Sequence, residues 1–153
     1  MSRRAAARLE NFGFENVCVY APGKEDWLAF GLPVEGALAK TKTAGRSAAA
    51  DVPVCGPVEK LKDVHRRVQE SGWRECVVAS EERVVLGLLE RDTWQADGDL
   101  PVEQVMNPAP LTVRPHFTCE AAADKMEKKP TDVALVTNPD GKLVGLLRQE
   151  KSK

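Results

Sequence analysis

The chain contains one stretch twice, and that duplication constrains its fold more than any other feature. Residues 83–92, RVVLGLLERD, and 141–150, GKLVGLLRQE, both run through Gly-Leu-Leu and close on charged residues. Gly87 and Gly145 lie 58 positions apart, and sliding the sequence by that offset aligns about 40 residues without a gap. Val78 then falls on Val136, Leu88 and Leu89 on Leu146 and Leu147, and Pro57 on Pro115. Leu61, Val64 and Val68 fall on Cys119, Ala122 and Met126. Two short leucine strings recur by chance, but a gapless register of apolar on apolar across a whole unit does not. The chain holds two copies of one unit.

Each copy has the same order of elements. A short extended segment (52–55, VPVC; 111–113, LTV) leads into a helix with apolar residues at three- and four-residue steps. The first helix is expected over Pro57–Ser71, with Pro57 in its first turn and Gly72 after its end. The second is expected over Phe117–Lys129, with Thr118 as N-cap and Lys128 and Lys129 in the last turn, where the helix dipole favours cations. Two strands follow in each copy, joined by SEE at 80–82 or by the turn signal NPDG at 138–141. Their apolar residues are continuous, which predicts burial on both faces. One strand-helix-strand-strand unit is too small to stand alone, so the two are expected to share a core. The fold class is α/β (α+β): two β-α-β-β repeats packed pseudo-symmetrically behind an N-terminal arm. The expected divisions are 1–36 (arm), 37–50 (a linker of small and polar residues), 51–97 (first repeat) and 98–153 (second repeat). Residues 91–108 read as two short helices around an Asp-Gly turn.

Composition excludes several function classes. Apolar residues make up 42% and charged residues 29%, as in globular proteins, and the net charge is −1. With both signs interspersed and eight aromatic residues, the chain has neither the positive field nor the stacking platform of a nucleic-acid binder. No apolar run is long enough to span a bilayer, and MSRRAAARLE has no apolar stretch behind its basic flank. Cys18, Cys55, Cys76 and Cys119 stand singly in or beside apolar stretches and are expected as buried, reduced thiols of a cytoplasmic protein. His65 and His116 have no carboxylate or thiol spaced to make a metal site or a catalytic triad. GKEDW and NPDGK lack the Gly-rich run of a phosphate loop. No catalytic residue and no metal ligand are expected.

The segment PVEQVMNPAPLTVRPHFTCEAAADKM followed by ALVTNPDGKLVGLLRQE resembles a cystathionine-β-synthase (CBS) domain, and residues 51–95 match more loosely. Together they are similar to a tandem CBS pair, or Bateman module. The resemblance implies a non-enzymatic regulatory module, two of which commonly pair into a flat homodimer. Its cleft is expected to bind an adenosine-containing ligand: AMP, ADP, ATP or S-adenosylmethionine. Acting through a partner, it would need an effector protein. The ligand residues implied are Val54, Arg91 and Asp92 from the first copy, and Thr112, Val113, Val133, Ala134, Arg148 and Glu150 from the second. In nucleotide-binding members the last strand ends Gly-apolar-apolar-Thr-x-x-Asp. Here Glu90 and Arg148 stand at the Thr position, and Asp92 and Glu150 come one residue early, with Lys151 at the second Asp position. Glu90 repels a phosphate, whereas Arg148 attracts one. The departure also raises the alternative of a ligand-free structural or oligomerisation protein whose cleft its own side chains fill.

Residues 8–36 resemble the C-terminal end of a rhodanese domain, with Gly13, Phe14, Val17, Gly23, Trp27, Gly31 and Pro33 at the matching positions. In that family the sulfur-carrying Cys precedes the helix that here begins near Ser2. The first Cys of this sequence is Cys18, so a residual sulfurtransferase has no positioned nucleophile. The segment is expected as a helix–strand–helix packing or dimerisation arm, its Phe14, Trp27 and Phe30 seeking an apolar partner.

Overall fold

The computed structural model describes residues 2–29, 32–36 and 41–149. Phe30, Gly31, residues 37–40, Glu150 and Lys151 lie outside the described residues. The arm comprises α1 (Ser2–Asn11) and α2 (Lys24–Ala29). Then come α3 (Ala44–Ser47), β1 (Val54–Cys55), α4 (Leu61–Ser71), β2 (Cys76–Ala79) and β3 (Val85–Leu89). The second copy repeats the order: α5 (Val102–Val105), β4 (Thr112–Val113), α6 (Cys119–Lys128), β5 (Val133–Thr137) and β6 (Leu143–Arg148).

Each copy forms a three-stranded sheet, β1-β2-β3 and β4-β5-β6, in which the first pair is parallel and the second antiparallel. The duplication extends to irregularities. The register shifts between Val78 and Ala79 in one sheet and between Val136 and Thr137 in the other, the same position 58 residues on. β2 and β5 are buried along their whole length, as their continuous apolar runs predict. Val52, Val77, Leu88, Val133, Leu135, Leu143 and Leu146 form the shared core between the sheets. At the hairpin ends the copies touch directly, where Val84 bridges Lys142, its own counterpart.

The expected linker is the largest departure from the sequence reading. Residues 41–49 begin the first repeat: α3 falls on α5 under the same offset, so each copy opens with a lead-in. The lead-ins are exchanged. Thr43 and Ala49 bridge Thr118 and Leu146 of the second copy, while Pro101 and Asn107 bridge Lys60 and Leu88 of the first. Ala44 is accordingly buried in the core beneath α6, and Val102 in the core beneath α4. Exchange also explains the Gly-Leu-Leu strings. An added Cβ at Gly145 would lie 2.6 Å from the Ala49 carbonyl oxygen, and one at Gly87 would lie 2.9 Å from that of Asn107. Only glycine lets the crossing backbone come so close.

The helices start later than Pro57 and Phe117 suggest. The Leu61 and Lys62 N–H groups donate to the carbonyls of Leu100 and Gly98 (3.0 and 2.9 Å), so the second lead-in serves the start of α4. Gly72 closes α4 in the left-handed region, at φ 75°. Thr118 caps α6 as expected, accepting from the Ala121 N–H at 3.1 Å. A 3-10 turn (Thr93–Gln95) and α5 supply the two short helices expected between the copies.

The short strand expected in the arm around Cys18 does not form, because no neighbouring strand pairs with that segment among the described residues. The arm is instead tied locally. The Tyr20 hydroxyl donates to Asp26 (2.5 Å), Tyr20 meets Trp27 edge-on at 5.2 Å, and the Trp27 indole N–H donates to the Pro33 carbonyl (2.8 Å).

Candidate functional site

A cleft of about 800 Å³ opens where the end of β3 faces the starts of β4 and β5. Leu88, Leu111, Met126 and Val133 give it an apolar floor. Around that floor stand Glu75, Glu90, Asp92, Glu127 and Asp132, with Arg91 and Lys129 as the cations among the described residues. The walls come from both copies, so the duplicated sheet pair creates the site. Glu90 is drawn to one side by Asn107, whose side-chain amide donates to its carboxylate at 3.0 Å. Thr93 folds back beneath it, accepting from the Glu90 N–H (2.9 Å) and donating to the Glu90 carbonyl (2.6 Å). Asp92 and Arg91 are thereby held at the mouth by a closed turn.

The structure distributes the sequence-predicted site residues unevenly. Arg91, Asp92 and Val133 line the cleft. Val113 and Ala134 are buried in the core under α6. Thr112 lines a separate groove at the hairpin end with Arg114, which donates to the Thr137 and Asn138 carbonyls and the Thr137 hydroxyl. Val54 is exposed on β1, paired with Val77. Glu150 lies outside the described residues. Arg148 is engaged at the opposite repeat: its guanidinium is 2.5 Å from the Glu75 carboxylate and 5.7 Å from the Trp73 ring centroid. Sequence reasoning missed Glu75, Asn107, Leu111, Lys129, Thr131 and Asp132, all lining the cleft. The offset was a usable signal for one of them, because Glu75 falls on Val133, which the sequence reading already nominates.

The cysteines and histidines are placed as follows. Cys55 and Cys76 are buried together; a hydrogen bond to Cys55, and then burial, push the Cys76 thiol up and away from the reactive thiolate. Cys18 is exposed and Cys119 half-buried, against the expectation of four core thiols: one sits on the unpaired arm segment, the other at the start of α6 beside Ser47. His65 stacks on Trp94 at 4.8 Å and contacts Gln69, and Trp94 is anchored to the Arg74 carbonyl. Among the described residues no group of three His, Cys, Asp or Glu side chains is placed to hold a metal ion, and no helix is long and apolar enough to cross a membrane.

Residues 102–150 match the CBS domain family. No curated protein matches the chain at a significant level. Solved structures match over most of its length. The cytosolic domain of the magnesium channel MgtE in complex with ATP is 23% identical at a TM-score of 0.66, covering 73% of this chain and 48% of its own, so this chain spans about half of that domain. The CBS-pair protein CBSX2 from Arabidopsis thaliana, solved with AMP, is 22% identical at 0.65, covering 70% of this chain and 90% of its own. The GMP reductase of Trypanosoma brucei, solved with guanosine 5'-monophosphate, matches at 0.61 and 18% identity, covering 71% of this chain but 24% of its own. None of these matches is to a rhodanese, and the likeness of residues 8–36 to a rhodanese end is not confirmed by them. The second repeat carries the CBS domain pattern, and the two repeats together have the fold of a CBS pair.

Proposed function

We propose that the chain is a non-catalytic regulatory module that binds an adenosine-containing ligand in the cleft and passes the binding event to a partner protein. The observation that carries this reading is the cleft itself: an apolar floor of Leu88, Leu111, Met126 and Val133 ringed by carboxylates able to accept from ribose hydroxyls. Its formation from both copies supports a regulatory role, because a ligand there contacts both repeats and favours whichever arrangement of them it fits better. CBS-fold structures with AMP and with ATP support the ligand class.

Charge then ranks the candidates. With Glu75 paired to Arg148, carboxylates still outnumber cations among the described residues around the cleft. Each unit-charge pair about 8 Å apart is worth ~0.5 kcal/mol in water, so successive phosphates lose affinity. Adenosine and S-adenosylmethionine are expected to bind tightest, AMP next and ATP about tenfold weaker than adenosine, the gap narrowing in salt. Equilibrium dialysis measures the order. ATP binding tightest removes the charge argument, and no binding of any of them at millimolar concentration removes the nucleotide reading.

The same proposal includes self-association through the arm. Phe12 and Phe14 are 70% and 61% exposed, beside an apolar groove lined by Leu9, Val17, Val19 and Trp27. Exposed aromatics of this size on one short segment favour burial against an apolar partner. A second copy brings its own arm. Light scattering is expected to give a dimer mass, and the double substitution Phe12→Ser, Phe14→Ser a monomer. A monomeric parent protein sinks the dimer.

A further inference from the structure

We propose that Arg148 is an internal occupant of the site related to the cleft by the repeat, so that the chain takes one ligand and not two. The 58-residue offset carries Thr131 to Trp73, Val133 to Glu75, Glu90 to Arg148 and Asn107 to Ala49. Three of these exchanges put larger or charged side chains at the mate site, and the fourth removes a restraint. At the open cleft a small Thr131 and an apolar Val133 leave space, and Asn107 draws Glu90 aside. At the mate an indole replaces the threonine, a carboxylate replaces the valine, and a guanidinium replaces Glu90. Ala49 has no amide with which to hold the end of β6 back.

The geometry is that of a cation held over an aromatic ring and tied to a carboxylate. The Arg148 guanidinium sits 5.7 Å from the Trp73 ring centroid, while its Nη2 lies 2.5 Å from Glu75 Oε2. The Glu75 side chain is 13% exposed, so this ion pair is withdrawn from water on its acidic side. That separates it from the exposed pairs of α4: Lys62–Asp99 and Arg66–Asp63 have both partners at least half exposed. A guanidinium is planar and cationic, and over an indole it stacks as a flat aromatic base stacks. Glu75 also lines the open cleft, so one carboxylate borders both sites. The closed mate thus removes one negative charge from the rim of the open one.

The ligand count rests on the nucleotide reading above, but the occupancy of the mate site does not, and two measurements keep them apart. The first needs no ligand. In a proton–nitrogen correlation spectrum the three tryptophans give three indole N–H resonances, and Trp73→Phe identifies one of them. Arg148→Gln is expected to move that resonance and leave those of Trp27 and Trp94 in place; an unmoved Trp73 resonance overturns the placement of Arg148 over the ring. The second is equilibrium dialysis with adenosine at saturation. One ligand per chain is expected for the parent protein and two for the double substitution Arg148→Gln, Glu75→Gln, which opens the mate without stranding a buried carboxylate. Two ligands on the parent, or one on the double variant, overturns the claim that Arg148 closes the site. If adenosine binds neither protein, the nucleotide reading and the ligand count both fall, and the Trp73 resonance alone still decides whether Arg148 occupies the mate.

Discussion

Gly145→Ala is expected to destabilise the fold by about 3 kcal/mol, the upper part of the range for overpacking a tight core, and to lower the melting temperature by about 10 °C. The added methyl would lie 2.6 Å from the Ala49 carbonyl oxygen and 3.0 Å from Ala48 Cβ. The Ala49 backbone has little freedom to retreat. Its N–H donates to the Leu146 carbonyl and its carbonyl accepts from the Leu146 N–H, both at 2.9 Å, so withdrawal breaks two hydrogen bonds inside the structure. Gly87→Ala meets the equivalent crossing with more slack. Its closest neighbour is the Met106 sulfur at 2.5 Å, the end of a flexible side chain, and the Asn107 carbonyl oxygen is 2.9 Å away. About 2 kcal/mol is expected there. Gly56→Ala, whose methyl would meet nothing closer than the Glu59 carboxylate at 3.7 Å, is the control and is expected within about 0.5 kcal/mol of the parent. Urea unfolding followed by circular dichroism measures all three. The order Gly145, Gly87, Gly56 is the prediction, and equal losses at the three positions count against backbone crossing as the reason for the glycines.

The same glycines show what the sequence made legible. Packing forced both copies to keep their apolar positions in register, and that repeated constraint exposed the duplication, the sheets and the helices α4 and α6. The lead-ins stayed hidden because their burial leaves no periodic trace. α3 is one turn long, and of its residues Ala44 alone is fully buried, so ALAKTKTAGRSAAA reads as a linker. Extending the offset would have set Ala44 on Val102 and Ala49 on Asn107. The site was legible only in part, for a different reason. Arg91, Asp92 and Val133 were reachable from the strand pattern, because β3 and β5 fix where those residues stand. Arg148 was not, because its partner Glu75 is 73 residues away and side-chain pairing across two sheets follows from their packing. Its charge suggested an anion; its place in the fold gives it a carboxylate of the same chain.

Ala44→Asp tests the exchanged lead-ins directly, and the expected loss is about 4 kcal/mol, typical of a charge buried without a partner. Ala44 is 0% exposed, and it packs among Val113, Ala122, Met126, Ala134, Val136 and Leu147, all from the second copy. Its N–H donates to the Phe117 carbonyl at 2.7 Å, just before α6, so the chain cannot swing this residue outward without releasing that helix start. A carboxylate among six apolar side chains must either remain neutral or open the core, and both routes cost stability. Ala50→Asp places the same charge six residues on, at an exposed position, and is expected to cost less than about 0.5 kcal/mol. If residues 41–50 merely joined the arm to the repeats, the two substitutions would behave alike. With exchanged lead-ins, the Ala44 variant loses hydrogen-exchange protection first in β5 and α6, more than 70 residues away in the sequence, while β2 and α4 hold longer. Protection lost first in β2 and α4 would place Ala44 in the wrong core. A lead-in that stabilises the opposite copy also explains how two such small units hold one sheet pair together: neither core is complete until the other copy's first turn is in it.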